Sequence, residues 1–514
     1  MSRINTNVPS LIARANLDRS NGDLDVRLRR LSTGLRINRG ADDPAGLIVS
    51  QRLGSEINGI EQAVKNSERA SSVIATAEGS LNEVAGLLNS IKGLVVEAAN
   101  TGAISDNERA ANQLQIDSAI ESITRISNSA SFGGLKLLNG SLDYVLSGLD
   151  NTAIAKAQIN GVSFNNQPSI QVQVDTVASA QLGALYLRGD YAGALGNGVF
   201  QSTVNIEIAG SKGVQTFQIL SGRPFAEVVA AVNSFKQATG VSAALVNGNA
   251  NSGLVFYSAA FGSSDFVSVT RLGGPTGGGF FQTYALSGNA AVPGTFNLPA
   301  QITAGTLVQA NRDAGRDVVA VVNGTLGTGR GLAINLPNTQ TLALDLLLSR
   351  TFATTNGSST TFRVTGGGAL YQLGGSVNVS QQINVGLPST AASRLGGTLI
   401  NGALEFLSSI RSGGSNDLNS RRFESATTIV DASIDEISLI RGRLGALERN
   451  TLDTNVRSLQ AAVENLTASQ SNIRDADFAS ESSALTRAQV LSNAGTSTLS
   501  LANQRAQQVL QLLR

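Results

Sequence analysis

The chain has 514 residues, which is enough for several domains with buried cores. Its 38 basic and 37 acidic residues nearly balance, so we expect neither a nucleic acid partner nor a membrane-surface partner. Because the chain contains no cysteine and no histidine, disulfides, thiolate or imidazole metal sites and Ser-His-Asp catalysis are excluded.

The sequence also lacks the motifs of common catalytic and cofactor sites. It has no acidic calcium-loop motif and no glycine-rich phosphate loop that ends in lysine. We therefore predict no catalytic, cofactor-binding or metal-binding residues and expect the chain not to be an enzyme. No long apolar stretch follows Met1, so we predict neither a secretory signal nor a transmembrane span.

The N-terminal part of the chain is predicted to be helical. Apolar residues recur there at alternating steps of three and four, which is typical of a helix that packs along a partner helix. These residues are Val8, Leu11 and Ala15, then Leu24, Leu28, Leu31 and Leu35, and then a long run from Ile60 to Ala98. Pro44 and two glycines break the pattern at Asn38–Gly46, and Asp42 or Asp43 is expected to cap the next helix. Another helix is predicted from about Asp106 to Ser129.

The composition changes after Phe132. All six tyrosines and thirteen of the seventeen phenylalanines lie between Tyr144 and Tyr371, together with many glycines. This composition and the local alternation of apolar and polar residues predict a β-rich insert. The predicted elements are strands at Val204–Ile208, Thr216–Leu220 and Gly253–Tyr257 and a helix near Phe225–Thr239. The sequence leaves open whether the insert is one domain or two.

The helical pattern resumes after about Leu395 and continues to the end of the chain. The last stretch, from Asn472 to Arg514, is predicted to be one uninterrupted helix with a narrow stripe of small and apolar residues. This stripe consists of Leu485, Ala488, Leu491, Gly495, Leu499, Ala502, Ala506, Val509 and Leu513. Because isolated helices depend on packing for most of their stability, so narrow a stripe requires a partner helix. We therefore interpret the C-terminal stretch as an assembly element.

These patterns predict an α+β multidomain fold, in which paired N- and C-terminal arms form a long helical coiled-coil core and carry an inserted β-rich outer module. Residues 1–40 are expected to form a core arm that pairs with 472–514. Residues 41–145 are expected to pair with 396–471 in an inner helical domain. The variable outer insert is expected to span residues 146–395.

Several blocks at both ends of the chain resemble bacterial flagellin. At the N-terminal end they are Ile4–Asn7, Arg30–Asn38, Ala41–Gly46 and Thr76–Glu83. At the C-terminal end they are Ile440–Ala446, Asp475–Ala479, Ala494–Ser497 and Val509–Arg514. Their order matches the family at both ends, which is far more specific than any single motif. Within the insert, Val204–Val246 is similar to a repeat found in some flagellin inserts.

The resemblance implies a secreted structural subunit that leaves the cell through the flagellar type III export apparatus. Such subunits self-assemble into the hollow extracellular filament used for swimming motility. The implied partners are other copies of the chain, hook-filament junction and filament cap proteins, and an export chaperone that binds the C-terminal helix. In the family, the turn region that corresponds to about Phe132–Ser147 is linked to switching between filament states.

Two positions depart from the family pattern. The family segment that is read by an innate-immune Toll-like receptor typically has the sequence Q-R-V-R-E-L, and Asn89–Leu94 stands in its place. Leu94 is kept, but Ser90 replaces the arginine, so we expect weak receptor recognition. Ala506 stands where many relatives have proline, which favours a continuous terminal helix.

Two alternatives remain at this stage. A hook-filament junction protein would share flagellin-like termini. From a different class, a secreted adhesin or carbohydrate-active protein would have its activity in the insert, and an enzyme of this kind would need converging carboxylates. The acidic residues of the insert show no spacing that singles out a pair; they are Asp175, Asp190, Glu207, Glu227, Asp265, Asp313, Asp317 and Asp345.

Overall fold

The structure is a computed structural model that describes residues 6–164, 167–188, 198–274, 281–286, 297–337, 342–400 and 402–512. Several predicted features lie outside this part of the chain or have side chains that are not described. They are the block residues Ile4 and Asn5, the insert acid Asp190, the stripe positions Ala506, Val509 and Leu513, and the terminal Arg514.

The α-helices are α1 Val8–Thr33, α2 Pro44–Ala99, α3 Asp106–Ser129, α4 Phe225–Ser234, α5 Lys236–Thr239, α6 Leu298–Thr303, α7 Arg350–Ala353, α8 Phe423–Leu447, α9 Asp453–Arg474 and α10 Phe478–Leu512. A π-helical turn, Glu448–Leu452, lies between α8 and α9.

The strands are β1 Ser131–Phe132, β2 Leu135–Lys136, β3 Tyr144–Ser147, β4 Ile154–Val162, β5 Ile170–Ala178, β6 Ala184–Leu187, β7 Val204–Gly210, β8 Val214–Ile219, β9 Val241–Leu245, β10 Leu254–Ser258, β11 Phe266–Gly273, β12 Thr283–Leu286, β13 Leu307–Gln309, β14 Arg312–Ala314, β15 Val319–Val322, β16 Thr325–Leu326, β17 Thr328–Arg330, β18 Ala333–Leu336, β19 Leu342–Leu348, β20 Ser359–Gly367, β21 Ala369–Gln372, β22 Gln382–Val385, β23 Thr398–Ile400 and β24 Ala403–Glu405.

The chain divides into two compact units. The first contains Met1–Ser71, Gln372–Gln382 and Leu447–Arg514, and the second contains Ser72–Tyr371 and Ile383–Ala446. Both ends of the chain are helical and the middle is β-rich, which confirms the predicted fold class.

In the first unit, the predicted helix break lies between α1 and α2. Gly34 ends α1 in the left-handed conformation, with φ +70°, which glycine adopts without strain. Pro44 begins α2, where its fixed φ suits the first turn. The Asp43 carboxylate accepts the Gly46 N–H at 2.9 Å and so caps the new helix, as predicted.

Asp42 stabilises the turn before α2 rather than the helix itself. Its carboxylate accepts the N–H of Arg39 at 2.8 Å and the N–H of Asn38 at 2.9 Å. These two bonds favour the charged form and lower the pKa of Asp42. Asp43 thus caps α2, whereas Asp42 stabilises the turn that precedes it.

The prediction of one uninterrupted helix from Asn472 is wrong. Helix α9 ends at Arg474 and α10 begins at Phe478. Between them, the N–H of Ala476 donates to the Gly34 carbonyl at 2.9 Å, which diverts the main chain from helical bonding. The Asp477 carboxylate then accepts the Ala479 N–H at 3.0 Å and caps α10. The break results from a tertiary contact that helical periodicity does not reveal.

In the second unit, the long predicted stripe of α2 is buried. Leu81, Val84, Leu88, Ile91 and Val95 are all fully inaccessible to solvent. Helix α3 begins and ends where the sequence predicts, and Ser105 and Glu108 form a reciprocal capping box at its start.

The insert contains two β modules with separate hydrophobic clusters. In the first, a sheet of order β16-β15-β5-β20-β3 and a sheet of order β17-β18-β19-β4 enclose a cluster that includes Val172, Leu344 and Phe362. In the second, sheets of order β14-β11-β7-β8 and β13-β12-β6-β10-β9 pack with α4 around Phe200 and Phe256.

The strands predicted near Val204, Thr216 and Gly253 are present as β7, β8 and β10. The helix predicted over Phe225–Thr239 divides at Phe235 into α4 and α5. Strand order and pairing come from contacts between distant segments, which the local alternation of residues does not encode.

Candidate assembly interface

The two ends of the chain meet in the first unit, where α1 packs antiparallel on α10. Small residues allow the close approach. Ala13 of α1 and Ala488 of α10 are buried, with 7% and 1% of their surface exposed. A side chain at Gly495 would place its Cβ 3.2 Å from Leu17, so glycine fits this crossing best.

Polar groups fix the register of α1 on α10 along most of its length. The Asn7 amide donates to the Ala502 carbonyl at 3.1 Å, and the Ser10 hydroxyl donates to the Asn503 side chain at 2.8 Å. Further along, the Ser492 hydroxyl donates to Asn21 at 2.7 Å. A shift by one turn would break all of these bonds.

The sequence predicts the C-terminal stripe correctly at Ala488 and Gly495 and wrongly at Leu491. That leucine is 49% exposed, and Ser492 faces α1 in its place. On α1, the predicted seam residues Val8 and Leu11 are 47% and 58% exposed. At these positions the prediction followed the large apolar side chains, whereas the contact there uses small and polar ones.

A buried ionic cluster joins the two helices near the start of α10. The Arg27 guanidinium bonds to the Glu481 carboxylate at 2.9 Å, and Arg30 bonds to it at 3.0 Å. Only 7% of Glu481 is exposed. Burial by itself raises the pKa of Glu481, but the hydrogen bonds and charges of both arginines outweigh it, and the pKa is lowered.

This cluster was missed by the sequence analysis, although a signal existed. Glu481 lies four residues before Leu485, which is one step further along the same three-four spacing. A carboxylate at a seam position requires a cationic partner when it is buried. Arg27 and Arg30 supply the charge from the facing helix.

Large apolar side chains remain exposed on the paired helices. We call this set the arm surface, and it consists of Val8, Leu11, Ile12, Leu28, Phe478, Val490, Leu491 and Leu501. Each has 47–70% of its surface exposed. Clusters of exposed large apolar side chains are typical of surfaces that contact other molecules. The paired helices therefore present an interface rather than a finished core.

The residues that the family resemblance links to receptor recognition and filament switching lie in the second unit. Ser90 is exposed on α2 and its hydroxyl donates to the Gly86 carbonyl at 3.1 Å, whereas Leu94 is half-buried. In the turn region Phe132–Ser147, Gly133 and Gly134 have φ values of +57° and +87°. These left-handed conformations favour glycine.

The acidic residues of the insert take part in separate local contacts. The Asp175 carboxylate accepts the Ser359 hydroxyl, Asp265 accepts the Ser211 hydroxyl, and Asp345 pairs with Arg443. Within the described ranges, no three or more acidic residues are grouped so as to hold a metal ion. No described helix is both long and apolar enough to cross a membrane.

Comparisons with known proteins agree with this arrangement. The profile for the bacterial flagellin N-terminal helical region matches residues 4–143, and the profile for the C-terminal helical region matches residues 427–513. A flagellin from Salmonella rubislaw is 29% identical, and the alignment covers 99% of each chain. A B-type flagellin from Pseudomonas aeruginosa is also 29% identical over 99% of each chain.

Among solved structures, hook-associated protein 3 from Legionella pneumophila is similar over 82% of this chain and 98% of its own. Its sequence identity is 11% and its TM-score is 0.29, so it adds no structural argument.

The fold defines a class of protein in which paired terminal helices expose large apolar side chains and a β-rich insert lies between these helices in sequence. Both helical profiles match in order, and full-length relatives align from end to end. The chain belongs to the bacterial flagellin family.

The buried cluster predicts how acid affects the paired helices. Because the pKa of Glu481 is lowered in the folded chain, its contribution is complete above its ordinary value of 4.5 and is lost as the pH falls through the lowered value. Glu481→Gln removes the charge at every pH and is expected to cost about 1–3 kcal/mol near neutrality. Amide exchange of α1 and α10, measured from about pH 7 to about pH 3, tests this.

The matched control is Glu464→Gln, because Glu464 is exposed on α9. After division by the intrinsic exchange rate at each pH, we expect the protection of the control to follow the wild type, and the protection of Glu481→Gln to be lower and less dependent on pH. Equal exchange in the two variants at neutral pH would contradict the role of the cluster.

Proposed function

We propose that this chain is the repeating structural subunit of the extracellular flagellar filament and that it assembles through its paired terminal helices. The arm surface carries this proposal, since Leu11, Ile12, Phe478, Leu491 and Leu501 are exposed in the single chain. Family membership supplies the kind of assembly. Flagellins are structural proteins of the filament that drives bacterial motility.

The energetics favour completion of the arm surface by neighbouring copies. Burying one Leu, Ile, Val or Phe side chain contributes about 1.5–3 kcal/mol before the cost of ordering is subtracted. Contacts that join different faces of successive copies do not close on themselves and produce an open helix of subunits. A hollow filament built from many copies is one such helix.

The proposal also assigns each part of the chain a position in the filament. The arms 1–40 and 472–514 line the filament core, and residues 41–145 with 396–471 form the surrounding helical layer. The insert, 146–395, faces the solvent. This assignment is supported by the positions of the exposed apolar side chains, which concentrate on α1 and α10 within the first unit.

The other partners follow from the same surface. Hook-filament junction and filament cap proteins would contact subunits at the two ends of the filament. An export chaperone would cover the apolar side of α10, where Val490 and Leu501 are 61% and 54% exposed. The alternatives of a junction protein, or of an adhesin or carbohydrate-active protein, are not favoured, because flagellins align with the chain over its whole length.

The arm surface is tested by substituting its apolar residues. Leu11→Ser with Ile12→Ser removes two exposed side chains that are proposed to be buried on assembly. The loss should raise the critical concentration for polymerisation by more than about tenfold, because each 1.4 kcal/mol corresponds to a factor of ten. Sedimentation and electron microscopy of polymerised full-length protein measure it.

Leu370→Ser serves as the control, because Leu370 is 61% exposed but belongs to the insert. It should polymerise like the wild type. The proposal fails if both variants polymerise at the wild-type concentration.

Weak recognition by the Toll-like receptor is proposed to follow from Ser90. The Ser90 hydroxyl donates to the Gly86 carbonyl within α2, whereas an arginine at this position would offer a charged, planar group. Ser90→Arg should therefore increase the response in a receptor reporter assay with soluble protein. Ser469→Arg, at an exposed position on α9, should leave the response unchanged. A wild-type response as strong as that of Ser90→Arg would contradict this.

A further inference from the structure

Strand β8 lies at the edge of its sheet, in the order β14-β11-β7-β8. It pairs with β7 on one side, without a register shift, and pairs with no other described strand. Edge strands are usually protected by charges, prolines or bulges, because unpaired main-chain groups attract other strands. The segment Val214–Leu220 reads V-Q-T-F-Q-I-L and has none of these.

The direction of its main-chain groups follows from the hairpin turn. The N–H of Gly210 donates to the Gly213 carbonyl at 3.0 Å, which makes these two residues a hydrogen-bonded pair. Bonded and non-bonded pairs alternate along an antiparallel ladder. The main-chain groups of Val214, Thr216 and Gln218 therefore point away from β7.

These groups have little to bind within the described chain. The Thr216 carbonyl accepts only the side chain of its neighbour Gln215, at 3.2 Å. The adjacent sheet shows the contrast, because its edge strand β9 is capped. There the Asn233 side chain donates to the Ala243 carbonyl at 3.0 Å and accepts the Ala243 N–H at 2.8 Å.

We propose that β8 is a self-association edge, through which the inserts of two copies of this chain join their sheets in antiparallel pairing. A two-fold axis perpendicular to the joined sheet keeps the same face of both copies on the same side. This requires a register centred on one residue, which then lies opposite the same residue of the second copy. Centring it on Phe217 gives the longest overlap. Thr216 then lies opposite Gln218 of the second copy, and each such pair exchanges two main-chain bonds.

The side chains support this register. It places Val214, 59% exposed, opposite Leu220, 48% exposed, so that each covers the other on one face. On the other face, Phe217 meets its own counterpart. Phe217 already packs edge-on against Phe235, which is 41% exposed, with ring centroids 5.6 Å apart. No like charges oppose each other, because the segment is uncharged.

A single strand pair is smaller than the roughly 1,200–2,000 Å² of a stable interface. Pairing is therefore weak between dissolved monomers and becomes significant where many copies are held together. The expectation that β8 pairs form on filaments rests on the proposed function.

Cysteine cross-linking tests the register, because the native chain contains no cysteine. Thr216→Cys and Gln218→Cys copies are mixed, polymerised and oxidised mildly. We expect a disulfide between residue 216 of one copy and residue 218 of the other, identified by peptide mass spectrometry. Asn205→Cys is the control, because Asn205 lies opposite Gln218 on β7, one strand in from the edge.

The control should give several-fold less dimer than the mixed pair. Equal yields, or no dimer from filaments that electron microscopy shows to be intact, would overturn the proposal. Failure to form filaments at all would instead count against the proposed function, so the two failures are distinguishable. If peptide sequencing shows that β8 is cross-linked to a different segment, the edge has an occupant other than a second β8, and the proposal is also overturned.

Charge complementation separates pairing from misfolding. Thr216→Lys with Gln218→Lys places lysine opposite lysine in every pair, whereas the same two positions changed to Glu place glutamate opposite glutamate. With Val214→Cys in the Lys copy and Leu220→Cys in the Glu copy, we expect efficient cross-linking of the mixture. Cross-linking between two Lys copies that carry the same cysteines should fall several-fold, and equal yields would overturn the proposal.

Discussion

The pairing of α1 with α10 is the interaction on which the proposed assembly role of the chain depends. Neither helix has a broad apolar face, and a helix of this kind is marginal without a partner. Each of the two helices packs against the other, which comes from the opposite end of the sequence. Small residues such as Ala13, Ala488 and Gly495 let the backbones approach, and the Arg27–Glu481–Arg30 cluster fixes their register.

This pairing also explains why the arm surface is exposed. Small and polar side chains occupy much of the contact between the two helices, and several large apolar ones, such as Leu11 and Leu491, are left on the outside. The paired helices are therefore held in register by directional bonds while the side chains of the arm surface remain exposed. On the proposed function, contact with neighbouring copies supplies the burial that these side chains lack in the single chain.

The helices were largely predictable from the sequence, because caps and apolar spacing act locally. Helix α3 begins and ends at the predicted residues, and the stripe from Leu81 to Val95 is buried. Residues whose state depends on distant contacts were not predictable. At the helix break, Ala476 bonds to the Gly34 carbonyl. Ser492, rather than the predicted Leu491, faces α1, where it bonds to Asn21. Strand order in the insert was missed for the same reason.

Amide hydrogen exchange of the full-length protein, compared between monomer and filament, tests the central claim most directly. The account predicts that α1 and α10 gain strong protection on assembly, because the arm surface becomes buried. The core strands of the insert, such as β5 and β20, should exchange alike in both states. A gain of protection in those strands with none in α1 and α10 would contradict the account.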